Sequence, residues 1–461
     1  MVGFAPDLAE IRFGCGLSPV IPPPESAAAI VQALRGPDTM AERFPIDSYT
    51  AHEAWLESAR ALRKAGYQDK KGRKKDALDA FRKSRLEKNQ EAMVWAMRVQ
   101  LRWAHTPTGF HERLVAFWAD HFTAVGKVGL MRSAMAPYVE TTIRPHVAGR
   151  FADLLIAAET SPLMLHYLDQ VTSVGPNSRA AQNKEALGGL NENLAREVLE
   201  LHTMGVDGPY TQDDVRQLAE LFTGLTVQAK GGFTFRPAFA EPGSETVLGK
   251  SYGGDPGTLE AVHEALRDLA LHPVTAGHIA RKLAVHFVSD TPDPGLVSAM
   301  MRRYLDTGGD LAEVYGAMLA HPAAWSEPLQ NVKPPQQFIG SAFRALAVSP
   351  ERVAQLRPRD IRQTFDSPLA TMGQPWLTPN GPDGWAEQDE AWVTPQGVAE
   401  RLIWAVNVPQ MLRPALPDPR LFVNQALGRF ATEAVRFAAA AAESEAEAVG
   451  LVLASPAFQR R

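Results

Sequence analysis

The sequence predicts a mainly α-helical, multi-helix globular bundle with a small β-hairpin insertion around residues 224–250. Apolar residues recur with helical spacing over most of the 461 residues. Proline follows alanine- and leucine-rich runs at several places, for example at Ser161-Pro162 and His272-Pro273, and proline suits the first turn of a helix. Apolar and polar residues alternate on both sides of Gly231-Gly232, which favours a tight hairpin there.

The composition narrows the class of protein. A hydrophobic fraction of 45% and a charged fraction of 21% are typical of a globular chain with a large core. The net charge of −5 is too small to predict a nucleic-acid partner. The lone Cys15 excludes a disulfide framework within the chain and is expected to be a small buried residue. No segment is predicted to span a membrane, and the N-terminus shows no signal peptide, so the expected location is the cytoplasm.

A single domain over 1–461 is expected, with helical lobes at about 1–225 and 258–461 joined by the hairpin and a loop, 226–257. The proline corners are unevenly spaced, which argues against a solenoid. The segment 63–88 contains eleven basic and four acidic residues. Only two aromatic residues, Tyr67 and Phe81, stand among its charges, so we expect a solvated linker between helices; the alternative is an arm that binds anions or nucleic acid.

Three predicted helices each carry a histidine on or beside an apolar stripe. His121 lies in the apolar stripe of "GFHERLVAFWADHFTA", His202 in that of "NENLAREVLELHT", and His286 at the edge of that of "HIARKLAVHFVSD". Imidazoles are common metal ligands, and three would leave an open position for water, so a divalent metal site is one hypothesis. The alternative is three separate core histidines, each bonded to a carbonyl or a carboxylate. No HExxH or HxH spacing decides between them.

The polar face of the 191–203 helix raises the question of catalysis. Arg196 stands four residues from Glu192 and from Glu200, which is the spacing of a self-paired, solvent-facing stripe. This face, with Arg196 and Glu197, would be functional only if the helix were buried on both sides. Further on, Thr211 followed by an aspartate three residues later predicts a capping box at the start of the next helix.

The segment 371–395 is predicted to be irregular, because Trp376, Trp385 and Trp392 stand among prolines and glycines. A loop this aromatic is usually packed on the body of a protein or lines a pocket. Elsewhere the chain has no GxGxxG after a strand, no phosphate-binding GxxxxGK[ST] and no GxSxG turn. The sequence therefore predicts no nucleotide cofactor.

Several segments together resemble a known bacterial family, catalogued as domain of unknown function number 1800. The motifs are "GFHERLVAFWADHFTA", "IRPHVAGRFADLL", "SPLMLHYLDQ", "LNENLAREVLELHTMGVDGPYTQDDVRQLAELFTGL", "TAGHIARKLAVHFVSD", "MGQPWLTPNGPDGWAEQDEAWVTP" and "LASPAFQRR". They run in order from about Arg12 to the C-terminus. The resemblance implies a companion protein similar to sulfatases or alkaline phosphatases, and relatives that are often exported.

This chain keeps some positions of the family's motifs and departs from others. The kept positions are His121, Asn193, Arg196, Glu197, His202, His286, Trp385 and Arg401. Asp120 stands where the family usually has asparagine. Ala240 and Glu241 align with a usual His-Asp pair, and Glu245 aligns with a usual lysine. If that pair served chemistry in relatives, Ala240 marks its loss here.

Two function classes follow. The first is a partner-binding or assembly protein for a sulfatase-like companion, with a binding surface of Trp376, Trp385, Trp392 and Arg401. The alternative is a hydrolytic, metal-dependent enzyme with a histidine-lined interior, in which the catalytic residues would be Glu197, Arg196 and Asp120. A third possibility, motivated by Ala240, is a structural remnant of an active family.

Overall fold

The computed structural model describes residues 3–68, 74–127, 129–183, 189–228 and 231–461. Their fold is mainly α-helical with two small antiparallel sheets, so the predicted fold class is confirmed. Among the described residues, no helix combines the length and the apolar character needed to cross a bilayer.

The first part of the chain is helical, and its helix α6 carries Asp120 and His121. Their bounds are α1 Pro6–Arg12, α2 Ala27–Leu34, α3 Thr39–Arg43, α4 Tyr49–Gln68, α5 Lys74–His105, α6 Gly109–His121, α7 Met135–Tyr138, α8 Phe151–Glu159, α9 Pro162–Tyr167, α10 Arg179–Gln182, α11 Asn193–Glu197 and α12 Gln212–Leu221. The basic stretch 70–73 between α4 and α5 lies outside the described residues. The capping box is confirmed, because Thr211 Oγ1 accepts the Asp214 N–H and the Asp214 carboxylate accepts the Thr211 N–H.

The second part is again helical, and the proline corners are where the sequence predicts them. Its helices are α13 Leu259–Leu271, α14 Pro273–Phe287, α15 Pro294–Thr307, α16 Leu311–Ala320, α17 Pro335–Ala345, α18 Pro350–Ala354, α19 Pro358–Ile361, α20 Ser367–Thr371, α21 Pro395–Asn407, α22 Pro409–Leu412, α23 Pro419–Leu427, α24 Glu433–Ala441, α25 Glu445–Ala454 and α26 Pro456–Gln459. Side chains of His272, Ser349 and Ser455 accept the backbone N–H groups that α14, α18 and α26 leave free at their starts.

Shorter helical turns connect these elements. π-Helical turns occupy Val139–Ile143, Val198–Thr203 and Arg362–Asp366. Turns of 3₁₀-helix occupy Gly129–Ser133, Arg144–His146, Gln170–Thr172, Pro322–Trp325, Asp389–Trp392 and Gly428–Phe430. The turn at Val198–Thr203 continues α11 and carries His202.

The insertion contains two hairpins rather than one. The predicted hairpin is β1, Leu225–Val227, paired with β2, Phe233–Phe235. The region expected to be a loop forms a second hairpin, β3 Gly243–Val247 paired with β4 Lys250–Gly254. Its two-residue turn, Leu248-Gly249, has φ values of 49° and 80°. Positive φ at both positions gives a turn whose twist matches that of the strands. The sequence does not indicate this turn, because leucine is not a residue typical of positive φ.

The apolar clusters of the core contain elements from both sides of the insertion. One apolar cluster joins helices before the insertion, such as α6 and α8, to α13–α16 after it. The second cluster joins the C-terminal third of α5 to α17 and the C-terminal helices. Elements from both sides of the insertion therefore share one core, because the long α5 packs against α17 while α8 packs against α13.

Buried arginines bond the N-terminal segment to the centre of the molecule. Arg12 Nη1 donates to the Ala324 carbonyl at 2.7 Å, and Arg113 Nη1 to the Gly14 carbonyl at 3.0 Å. Arg344 Nε donates to the Gly16 carbonyl at 2.7 Å. Cys15 lies in this segment, fully buried, and burial raises the pKa of its thiol. It has the environment of a packing residue, as the sequence predicts, since a reactive cysteine needs a stabilised thiolate.

Candidate functional site

A cavity of about 120 Å³ opens between α6, the C-terminal end of α5, the start of α17 and the tryptophan-rich loop, residues 372–394. We call it the tryptophan-lined cavity. Its aromatic lining consists of Trp103, Phe117, Tyr138, Trp376, Trp385 and Trp392. Its ionisable lining consists of Arg102, Glu112, Asp120, Glu140, Arg144, His286 and Glu387.

The tryptophan-rich loop is irregular, as predicted, and is fixed to the body by hydrogen bonds at several points. Asp120 Oδ1 accepts the Trp385 N–H at 2.9 Å. Asp389 Oδ1 accepts the Val332 N–H at 2.6 Å, and its own N–H donates to Asp290 at 3.1 Å. These anchors hold the loop over the cavity in one position, as a preorganised site requires.

The predicted binding-surface tryptophans line this cavity. The Trp385 and Trp392 rings have centroids 6.3 Å apart and planes inclined by 60°, so they form a corner. Arg401 is different: it is buried, and it donates to the Lys333 carbonyl at 2.8 Å and to Gln459 at 2.7 Å. The prediction that Arg401 belongs to a binding surface is therefore wrong, because its guanidinium is buried and donates hydrogen bonds within the protein.

His286 and Glu387 form a hydrogen-bonded dyad in the cavity wall. His286 Nδ1 lies 2.7 Å from Glu387 Oε2. Burial disfavours the charge of Glu387, but His286, Lys282 and Arg113 outweigh it and lower the pKa of this carboxyl. An ionised carboxylate only accepts hydrogen bonds, so it fixes the proton on Nδ1 and leaves Nε2 with a lone pair when the ring is neutral. His286 Nε2 is buried and has no hydrogen-bond partner in the described part of the chain.

Asp120 is a second carboxylic acid in the same cavity, and its pKa is raised, whereas that of Glu387 is lowered. Burial and the nearby Glu387 carboxylate raise its pKa to about 8, against the smaller opposing effects of the Trp385 N–H and Lys282. Asp120 is therefore mostly protonated at neutral pH, while Glu387 is ionised. Two carboxyl groups whose environments separate their pKa values are suited to different roles as acid and base.

The other two predicted metal-ligating histidines lie deeper than the cavity. His121 Nε2 is 3.2 Å from the His202 carbonyl, and His121 Nδ1 is 3.1 Å from Lys282 Nζ. A carbonyl can only accept, so Nε2 carries the proton and Nδ1 accepts from the lysine. Burial, then Lys282, lowers the pKa of His121 well below its usual range. His202 Nδ1 lies 2.7 Å from Glu159 Oε1, and both side chains are fully buried.

The three histidines do not converge on one point. The His121 and His202 ring centroids are 5.9 Å apart, but the bonds just described occupy both His121 nitrogens. The His286 ring packs edge to face against Phe117, with ring centroids 5.0 Å apart, and the described residues with metal-like spacing do not include any of the three histidines. The geometry therefore favours separate histidines bonded to carbonyls and carboxylates. Metal binding by His121, His202 and His286 stays a prediction.

Within the described ranges, one group of side chains has metal-like spacing, namely Asp38, His111 and Glu112. Arg144 occupies it: its Nη1 lies 2.9 Å from Glu112 Oε2 and its Nε 2.5 Å from Asp38 Oδ2. Burial opposes the ionisation of Glu112, but Arg144 and His111 hold its pKa well below the usual range. The group is a buried ion-pair network whose carboxylates already face a cation.

Of the predicted catalytic residues, Asp120 alone lines the cavity. Arg196 lies on the surface and pairs with Glu192 at 3.3 Å and Glu200 at 3.2 Å, as the self-paired stripe predicts. Glu197 is half-buried, and burial raises the pKa of its carboxyl. Neither residue reaches the tryptophan-lined cavity.

The sequence analysis did not predict a role for Glu387, which pairs with His286, 101 positions away. The available signal was a carboxylate inside an aromatic, irregular segment. Glu241, which aligns with the family's His-Asp pair, accepts the Asn177 N–H at 2.9 Å beside the insertion and does not line the cavity.

Comparison with known proteins identifies a family for the chain. No curated protein and no solved structure matches the chain. The family model described as Protein of unknown function (DUF1800) matches residues 12–460. The match covers nearly the whole chain and confirms the resemblance carried by the motifs: the chain belongs to this family.

Proposed function

We propose that the protein is a hydrolytic enzyme that uses acid–base catalysis in the tryptophan-lined cavity. One observation carries the proposal: Glu387 orients His286, and this dyad lies in the wall of a cavity that Asp120 also lines. A base held by a carboxylate next to an acid of raised pKa is an arrangement that hydrolysis requires.

In the proposed reaction, His286 Nε2 takes a proton from water as the water oxygen bonds to an electrophilic carbon of the substrate. Glu387 keeps the imidazole in the required tautomer and stabilises its positive charge. The bond to the leaving group breaks, and Asp120 donates its proton to that group. Proton transfer from the imidazolium to Asp120, directly or through solvent, restores the starting state.

Kinetics on a panel of p-nitrophenyl esters and glycosides test this proposal. His286→Asn, Glu387→Gln and Asp120→Asn should each lower kcat on any hydrolysed substrate by about 10²–10⁴-fold. The matched control is His263→Asn, which changes a histidine of α13 outside the cavity. Full activity in His286→Asn, or an equal loss in the control, would refute the proposal.

Partner binding is the second candidate function, and an exposed apolar stripe on α21 supports it. Val398, Leu402, Ile403 and Val406 are 37–55% exposed, and exposed apolar patches often mark interaction sites. The sulfatase-like companion stays a prediction, which co-purification with and without Leu402→Lys would test. The cytoplasmic location also stays a prediction, for cell fractionation to test.

A further inference from the structure

We infer that the tryptophan-lined cavity selects a neutral, hydroxylated ring of the saccharide class and rejects sulfated or phosphorylated rings. This inference names the substrate class for the proposed hydrolytic function and rests on it for the reaction. Its binding part rests on the charges, the aromatic walls and the open hydrogen-bonding atoms of the cavity.

The arginine side chains of the cavity wall already form ion pairs with carboxylates. Arg102 Nη1 and Nη2 lie 2.7 and 2.8 Å from the two oxygens of Glu140. Arg144 is bonded to Glu112 and Asp38. Among the described residues of the lining, no other lysine or arginine is present. Sulfate and phosphate groups are held by uncommitted guanidinium or ammonium donors, so the cavity offers an oxyanion no partner.

The anionic side of the cavity is also balanced. The Glu387 charge is offset by the nearby Lys282 and Arg113, and its carboxylate also accepts from His286 Nδ1 at 2.7 Å. Asp120 is mostly neutral at pH 7, because burial and Glu387 raise its pKa to about 8. A ligand without net charge therefore enters at the lowest electrostatic cost.

The aromatic walls fit the faces of a sugar ring. Aromatic rings carry negative charge on their faces, and the C–H groups of a pyranose ring are weakly positive, so the two stack. Trp385 and Trp392 form a corner of 60° at 6.3 Å, and Trp376 adds a third indole. One water needs about 10–15 Å³, so a volume of about 120 Å³ holds a single ring rather than a long chain.

Two buried acceptors in the wall call for a ligand with O–H donors. Gln337 is 5% exposed and His286 is 7% exposed. Gln337 Oε1 and His286 Nε2 have no hydrogen-bond partner in the part of the chain that the structure describes. A buried acceptor left unpaired costs about 1–3 kcal/mol. A sugar hydroxyl that reaches either atom can donate to it, whereas a hydrocarbon cannot.

Calorimetric titration of the purified full chain tests the inference. The neutral probes are the methyl glycosides of glucose, galactose, mannose, xylose and N-acetylglucosamine; the anionic probes are glucose 6-phosphate, glucose 6-sulfate and glucuronate. We expect saturable binding of at least one neutral glycoside, and at least tenfold weaker binding of every anionic probe. Absence of binding by all neutral probes, or tighter binding of an anionic one, would overturn the inference.

Two variants connect binding to this cavity. Trp376→Ala and Gln337→Leu should each weaken binding of the neutral glycoside by at least tenfold, whereas Trp55→Ala, a tryptophan of α4 outside the cavity, should leave it unchanged. Circular dichroism checks the fold of each variant. Unchanged binding in both cavity variants would contradict the inference.

The outcomes separate this inference from the proposed function. Binding of a neutral glycoside without hydrolysis of any panel substrate would support the ligand class and count against catalysis. Hydrolysis confined to anionic or purely apolar substrates, with loss in His286→Asn, would support catalysis and overturn the ligand class.

Discussion

Asp120 and Glu387 show how neighbouring residues give the same functional group two states in one cavity. Glu387 stays ionised because His286, Lys282 and Arg113 surround it, whereas Asp120 is buried and faces that negative charge. The sequence analysis predicted a role for Asp120. It gives no sign of Glu387, because the pairing of a loop residue with α14 depends on tertiary packing.

The raised pKa of Asp120 predicts a pH-dependent stability. Between about pH 4 and 8 the folded protein keeps a proton that the unfolded chain has lost, so the free energy of unfolding falls as pH rises through that window. Asp120→Asn has no carboxyl group to titrate, so it removes this decrease in the free energy of unfolding, and it keeps an acceptor for the Trp385 N–H. The variant should gain about 3–5 kcal/mol over the parent at pH 8 relative to pH 4.5 in urea denaturation. A difference independent of pH would speak against the raised pKa.

Gly384 is required by its contact with Asp120. Its φ is +77°, and a Cβ would lie 2.8 Å from the Asp120 carboxyl carbon. Gly373 has φ +94° but open space around it, which makes it a matched control. Gly373→Ala should cost about 1–2 kcal/mol from backbone strain. Gly384→Ala should cost about 1–3 kcal/mol more from overpacking. Equal losses in thermal denaturation would show that the contact is unimportant.

At the scale of elements, local sequence signals predicted most of the helices and their ends. Proline corners, the hairpin at Gly231-Gly232 and the Thr211 capping box follow from backbone chemistry within a few residues, so they can be read without tertiary information. The second hairpin could not be predicted from local sequence, since its turn places Leu248 at positive φ. The position of the tryptophan-rich loop depends on anchors from Asp120, Asp290 and Val332, which are far away in sequence.

The Thr211 capping box predicts a measurable contribution from the start of α12. Thr211→Ala removes the side-chain oxygen that accepts the Asp214 N–H, and should lower the free energy of unfolding by about 0.5–2 kcal/mol. Thr211→Ser keeps the oxygen and should be close to neutral. Urea denaturation measures both, and an alanine variant as stable as the serine variant would show that the cap adds nothing.

At the scale of the whole molecule, buried polar contacts join elements that are distant in sequence. Glu159 of α8 meets His202, the His202 carbonyl meets His121 of α6, and His121 meets Lys282 of α14. The sequence correctly placed His121 and His202 in the interior. It could not tell which partners they have, because helical periodicity gives the direction of a side chain but not its neighbour.

Glu159 predicts how much this network matters for stability. Glu159→Ala leaves His202 buried without its carboxylate, which should cost about 3–5 kcal/mol. Glu159→Gln keeps an acceptor oxygen and should cost clearly less. Thermal denaturation compares the two variants, and a loss below about 1 kcal/mol in the alanine variant would contradict a structural role for the pair.

The central claim is that Glu387 holds His286 in the cavity wall with its proton on Nδ1 and with Nε2 unprotonated. Long-range ¹H–¹⁵N NMR of the imidazole nitrogens in alkaline buffer tests it most directly, with the His286 signals assigned by their loss in His286→Asn. We predict a protonated Nδ1 and an unprotonated Nε2, and a marked change in both signals in Glu387→Gln. A proton on Nε2, with signals that do not respond to Glu387→Gln, would contradict the account.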